Sequence, residues 1–99
     1  MLGAFEQWKA IRILRKQRIA HARKSQGDNK AVHDPIEDEP RYRQILEAAE
    51  CEAEQALAGI PRGMGFCHRL WRSKQTILIK KYGVVWFSPA DLNPGYRFD

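Results

Sequence analysis

Ninety-nine residues make one domain, able to bury a modest core without disulfides but only marginally stabilised by it. No run of about 18 apolar residues occurs, and Glu6, Lys9 and Arg12 interrupt the apolar positions of MLGAFEQWKAIRIL, so neither a membrane span nor a secretory leader fits. A soluble, cytoplasmic protein is expected.

The formal net charge of +5 conceals its segmentation. Residues 1–30 carry eight Lys/Arg against two acids, residues 31–61 two against eight, and residues 62–99 seven against two. An acidic segment between two basic ones can neutralise part of their charge inside the fold, so the outward field is patchier than a pI near 9.5 implies. Cys51 and Cys67 are too few for a disulfide scaffold and lack paired zinc-ligand spacing; both read as reduced thiols.

The first element is a basic helix over residues 4–24. At 100° per residue, Ala4, Trp8, Ile11, Leu14, Ile19 and Ala22 share one broad arc, and Lys9, Arg12, Lys16, Arg23 and Lys24 gather opposite it. Arg15 and Arg18 fall on or beside the apolar arc, where long stems can pack while their heads reach acids or solvent. Gly27-Asp28-Asn29 is the turn that ends the helix. Residues 28–39 then read as an exposed acidic linker.

The second helix spans residues 40–57. Asp38 or Glu39 is placed to cap it, and Pro40 suits its first turn because proline lacks an N–H that would have no helical partner there. Tyr42, Ile45, Leu46, Ala49, Ala53, Ala56 and Leu57 form its apolar arc, with Glu47, Glu50 and Glu54 facing away. Its alanines permit close approach of another backbone, and lengthwise packing on the first helix is the expectation. Exposed apolar flanks would also permit self-association there.

A glycine-rich turn leads to a third helix over residues 66–82, with Gly83 as its left-handed cap. Phe66, Cys67, Leu70, Trp71, Ile77, Leu78 and Tyr82 make its apolar arc, interrupted only by Lys74 and Lys81. His68, Arg69, Arg72, Ser73, Thr76 and Lys80 lie on the opposite face. The alternative is a hairpin at about 76–87, pairing TILIK with VVWF, which gives an α+β fold. The helix is preferred, which leaves Val84 to Phe87 extended across a small all-α bundle. The tail, residues 84–99, is expected to dock: Ser88, Pro89 and Asp91 spell a capped helical turn, Asn93-Pro94-Gly95 a tight turn, and Tyr96 and Phe98 supply groups to bury.

The stretch CHRLWRSK, residues 67–74, raises three chemistries. A zinc site drawn from Cys51, Cys67, His68 and His21 or His33 needs convergent ligands, yet helix neighbours 67 and 68 diverge by about 100°. A Cys/His nucleophile meets the same obstacle. No phosphate-cradling glycine loop precedes a helix, and Glu37-Asp38-Glu39 reads as a solvated charge cluster. Hence no metal, no cofactor and no enzymatic activity are expected.

The cations carry the remaining reading. Lys9, Arg12, Lys16, Arg23 and Lys24 on the first helix, and His68, Arg69, Arg72 and Lys80 on the third, are spaced to contact phosphates of DNA or RNA, alone or within a nucleoprotein complex. A plain solubilising role is the competing account. Trp71 lies on the apolar arc, which removes the main support for base stacking, and the turn LAGIPRGMG is longer than a helix-turn-helix motif uses. The alternative from another class is a small phage or mobile-element protein that binds and inhibits a larger protein partner, such as a nucleic-acid-guided defence complex. Neither the partner nor the oligomeric state is set by these residues.

Overall fold

The computed structural model describes residues 3–27 and 29–98, with residues 4 and 5 described by backbone alone. The parts given above to the Ala4 side chain, Asp28 and Asp99 therefore lie outside the described residues. Four α-helices form, α1 (Ala4–Gln26), α2 (Arg43–Ala56), α3 (Phe66–Tyr82) and α4 (Pro89–Leu92), with two 3-10 turns, Pro35–Asp38 and Pro40–Tyr42, before α2. No strand forms among the described residues, so the fold is all-α and the hairpin alternative falls.

Local chemistry sets the boundaries. Gly27 closes α1 at φ 92°, with its N–H on the Arg23 carbonyl. Pro40 opens a 3-10 turn, and α2 proper starts only at Arg43, with no side chain capping either element. Asp38 and Glu39 therefore do not act as helix caps; the residue that caps is Asp34, whose carboxylate accepts from Ile36 N–H ahead of Pro35. Gly83 ends α3 at φ 66°, and the Val84 N–H returns to the Leu78 carbonyl at 3.0 Å. In α4 the expected box is complete, with Ser88 Oγ accepting from Asp91 N–H at 3.2 Å and the Asp91 carboxylate from Ser88 N–H at 3.3 Å.

The packing partners differ from the expectation. α2 lies along α3, not α1, with Ala49 and Ala53 fully buried so that the backbones approach closely and Leu78 fills the seam. Lys74 and Lys81, the two interruptions of the α3 arc, are used to hold this pair: Lys74 Nζ meets Glu50 at 3.0 Å and lies 4.4 Å from the Trp86 ring centre, and Lys81 Nζ meets Glu52 at 2.8 Å. Glu50 thus faces a partner rather than solvent. Ala49 and Ala53 of the alanine face are thus consumed inside the fold, while Ala56 stays exposed.

The extended residues 84–88 divide the interior. Side chains of an extended chain alternate in direction. Val84 and Trp86 join the cluster of Leu46, Ala49 and Leu78 between α2 and α3, whereas Val85 and Phe87 join Ala22, Val32 and Leu92 beneath α1 and α4. Leu14, Ile19 and Ala22 are the described side chains that anchor α1 there.

The acidic linker is a structural member rather than an exposed connection. Val32 is 3% exposed and Asp34 is fully buried. Asp34 Oδ2 accepts from Arg18 at 2.7 Å and from Phe87 N–H at 2.9 Å, and Arg18 also donates to the Val85 carbonyl at 3.0 Å. The Asn93 side chain pairs with both backbone groups of Val32, accepting its N–H at 2.8 Å and donating to its carbonyl at 2.7 Å. In this way linker, divider and tail are tied to one another and to α1.

Candidate nucleic-acid interface

Helical geometry arranges the expected cations into two stripes. On α1, Lys9, Arg12, Lys16, Arg23 and Lys24 fall within an arc of about 120° and span about 22 Å of axis. On α3, Arg69, Arg72, Thr76 and Lys80 fall within about 80° over about 16 Å. All of these cations are exposed.

The distribution of acids decides what these cations face. Asp34 is taken by Arg18, Glu39 by Arg41, Glu50 by Lys74 and Glu52 by Lys81. Bonded by Lys81, and also by the Tyr82 hydroxyl at 3.1 Å, the Glu52 carboxyl is held below the usual carboxylate range, and the same bond raises Lys81. Glu37 accepts from the Trp86 indole at 2.9 Å. Among the described residues, no carboxylate stands within ion-pair distance of Arg12, Lys16, Arg23, Lys24, Arg69, Arg72 or Lys80. Lys9 shares the α1 stripe but has a contact of its own. The central acidic segment therefore pairs with cations that hold the fold together, and among the described residues it leaves those seven stripe cations without a carboxylate.

His68 departs from the expectation of a free outward imidazole. It is half-buried, donates through Nε2 to the Phe98 carbonyl at 2.8 Å, and meets Trp71 edge-on at 5.5 Å. Its place is therefore under the docked tail. Trp71 is half-buried between His68 and Phe98, consistent with packing rather than base stacking.

The stripes approach each other at one place. Arg12 lines a groove together with Thr76 and Ile79 of α3, and Arg72 lines an adjoining hollow that shares Gln75 and Asp91 with that groove. Lys16, Arg23, Lys24, Arg69 and Lys80 line neither. Comparison with protein-family models, curated proteins and solved structures finds no match for this chain. The residues themselves therefore carry the functional reading.

Sequence reasoning overlooked the apolar residues of the groove, Ile11, Ile79 and Val85, together with Arg15. Ile79 held the available signal: an isoleucine outside the α3 apolar arc stands 43% exposed. Ile11 sat on the α1 arc assigned to the core, yet it is 39% exposed. The nearest groups of cysteines, histidines and acids do not converge, and among the described residues no cluster suited to a metal ion forms. Nor is any described helix long and apolar enough to cross a membrane.

Proposed function

We propose that this protein binds the phosphate backbone of nucleic acid without reading bases, directly or as part of a nucleoprotein complex in the cytoplasm. The observation that carries this reading is the separation of paired from unpaired cations. Arg18, Lys74 and Lys81 hold carboxylates of the acidic segment, whereas Arg12, Lys16, Arg23 and Lys24 on α1 and Arg69, Arg72 and Lys80 on α3 have none within ion-pair distance among the described residues. Such stripes can replace counterions along a polyanion, and the release of those ions drives binding. Sequence-independent contact follows from the chemistry, since arginine and lysine to phosphate position a protein but carry no base information. No enzymatic step is assigned to it.

Fluorescence anisotropy of labelled duplex DNA, single-stranded DNA and RNA at two salt concentrations tests the reading. Micromolar binding that weakens steeply with salt is expected, with a logarithmic slope of about 0.9 per duplex phosphate contact. Arg69→Glu with Arg72→Glu should lower that slope by about 1.8 if both arginines touch phosphate. Absence of binding at low salt overturns it. The alternative of a small phage or mobile-element inhibitor sets the same cations against an acidic protein surface, and there the double reversal abolishes a protein contact with no nucleic-acid binding to lose.

A further inference from the structure

A groove of about 610 Å³ separates the amino-terminal half of α1 from α3. Its apolar walls are Ile11 on one side and Ile79 on the other, above Val85 and Phe87. Trp8, Ile11 and Ile79 stand 57%, 39% and 43% exposed, three of the six large apolar side chains that are exposed among the described residues. Apolar surface gathered in one place marks a binding surface rather than scattered solvent contact.

Arg15 distinguishes this groove from a merely open face. Its Nε is shut off from solvent and has no acceptor among the described residues. A buried donor without a partner is unfavourable, and because Arg15 lines the groove, a turn of its side chain would present Nε and Nη together as a fork to a carboxylate bound there. The groove's own acid does not answer it, because the Asp91 carboxylate is held by Gln75 Nε2 and Ser88 N–H. Arg12 adds a second positive charge to the lining.

The molecule also has surface to spare. It exposes 7118 Å², against about 5800 Å² expected of a folded chain of its mass. The excess, about 1300 Å², exceeds the roughly 800 Å² that each partner contributes to a standard interface.

We infer that this groove docks an acidic amphipathic helix of a protein partner, with one carboxylate on Arg15 and apolar side chains at i, i+3 or i+4 spacing against Ile11, Ile79 and Val85. Both long walls are helices and the described residues offer no strand edge to extend, so a third helix completes the packing where an extended peptide finds no backbone partners. The apolar lining and desolvated donor suit a carboxylate on an apolar body better than a solvated phosphate chain. A second copy of this chain is the poorer occupant: its acidic helix, α2, already buries Ala49 and Ala53 against α3, and no large apolar side chain of α2 stands exposed. This inference is separable from the nucleic-acid reading: Arg12 belongs to both the groove and the α1 stripe, but Arg15 and Ile79, on which the test turns, belong to neither stripe.

The test is a selection from a displayed library of 16-residue helix-forming peptides against the intact protein, followed by titration of the enriched peptides in solution. Enriched sequences are expected to place Asp or Glu among large apolar residues at helical spacing. Their binding should weaken at least about tenfold with Arg15→Gln and with Ile79→Asp, the loss expected of a charge-assisted hydrogen bond or a buried anchor. Arg69→Glu with Arg72→Glu should leave it unchanged. Circular dichroism and melting of each variant must match the wild type; Ile79 is exposed enough for its substitution to be a fair test if Arg15→Gln unfolds. Failure to enrich any peptide, enrichment of basic peptides, or binding indifferent to Ile79→Asp overturns the proposal. Sedimentation showing a dimer that Ile79→Asp dissolves also overturns it, in favour of a second copy.

Discussion

Asp34 joins three separate parts of the fold, because one fully buried carboxylate holds Arg18 and the backbone N–H groups of Phe87 and Ile36. Asp34→Ala leaves a largely buried guanidinium and two amides without their acceptor, a loss of about 3–5 kcal/mol. At about 4–8 °C per kcal/mol for a chain of this size, thermal melting should fall by more than about 12 °C. Asn93→Ala should cost about 1–3 kcal/mol in denaturant unfolding, since it strips both backbone partners from Val32. Glu52 gives a test by pH. Its carboxyl is lowered by bonding to Lys81 and Tyr82, so the stabilisation is present above the ordinary carboxylate pKa and is lost as pH falls through the lowered folded value. NMR titration should find Glu52 with a midpoint below the ordinary glutamate range, returning towards that range in Lys81→Met.

At the scale of elements, α3 and the tail were legible because their signals are local. A 3.6-residue period, a glycine at the αL position and a Ser-x-x-Asp box need only neighbours in sequence. Gly83→Ala should destabilise by about 1–2 kcal/mol, the cost of a Cβ at φ 66°. The tail discriminates further. Phe98 packs edge-on against Trp71 at 5.5 Å, whereas Tyr96 is half exposed, so Phe98→Ala should lower stability by about 1–2 kcal/mol and Tyr96→Ala by much less. What could not be read locally was partnership. The alanines of α2 announce a close neighbour without naming it, although the nine-residue connection from Leu57 to Gly65 is shorter than the linker before α2 and favours the pairing with α3 that forms. The linker was misread for a related reason. Asp34 is one acid among four within six residues, and only Arg18 and Phe87, distant in sequence, distinguish it from its solvated neighbours.

Across the whole molecule, charge segregation survives folding because the acids are spent on internal pairs. The cation stripes were therefore visible in the sequence, apart from His68, whose partner is a backbone carbonyl thirty residues away. The groove was not visible, because its walls come from α1, α3 and the segment after α3, which only folding brings together. The radius of gyration of 14.1 Å, against about 13 Å for a compact chain of this length, accords with the excess surface. Charge reversal should separate the two populations of cations. Arg12→Glu with Lys16→Glu should weaken duplex binding and flatten its salt dependence with little change in melting, while Lys74→Glu should lower melting by opposing Glu50 and leave the salt slope nearly unchanged. The Asn93–Val32 clasp also imposes an order of events on synthesis. The α2–α3 pair is local and can close as soon as both helices exist, whereas the bond from Arg18 of α1 to the Val85 carbonyl spans sixty-seven residues. Until Val85 and Asn93 are made, α1 is held by the linker alone, through Arg18 on Asp34 and Gln26 on His33, and the linker itself still lacks its clasp.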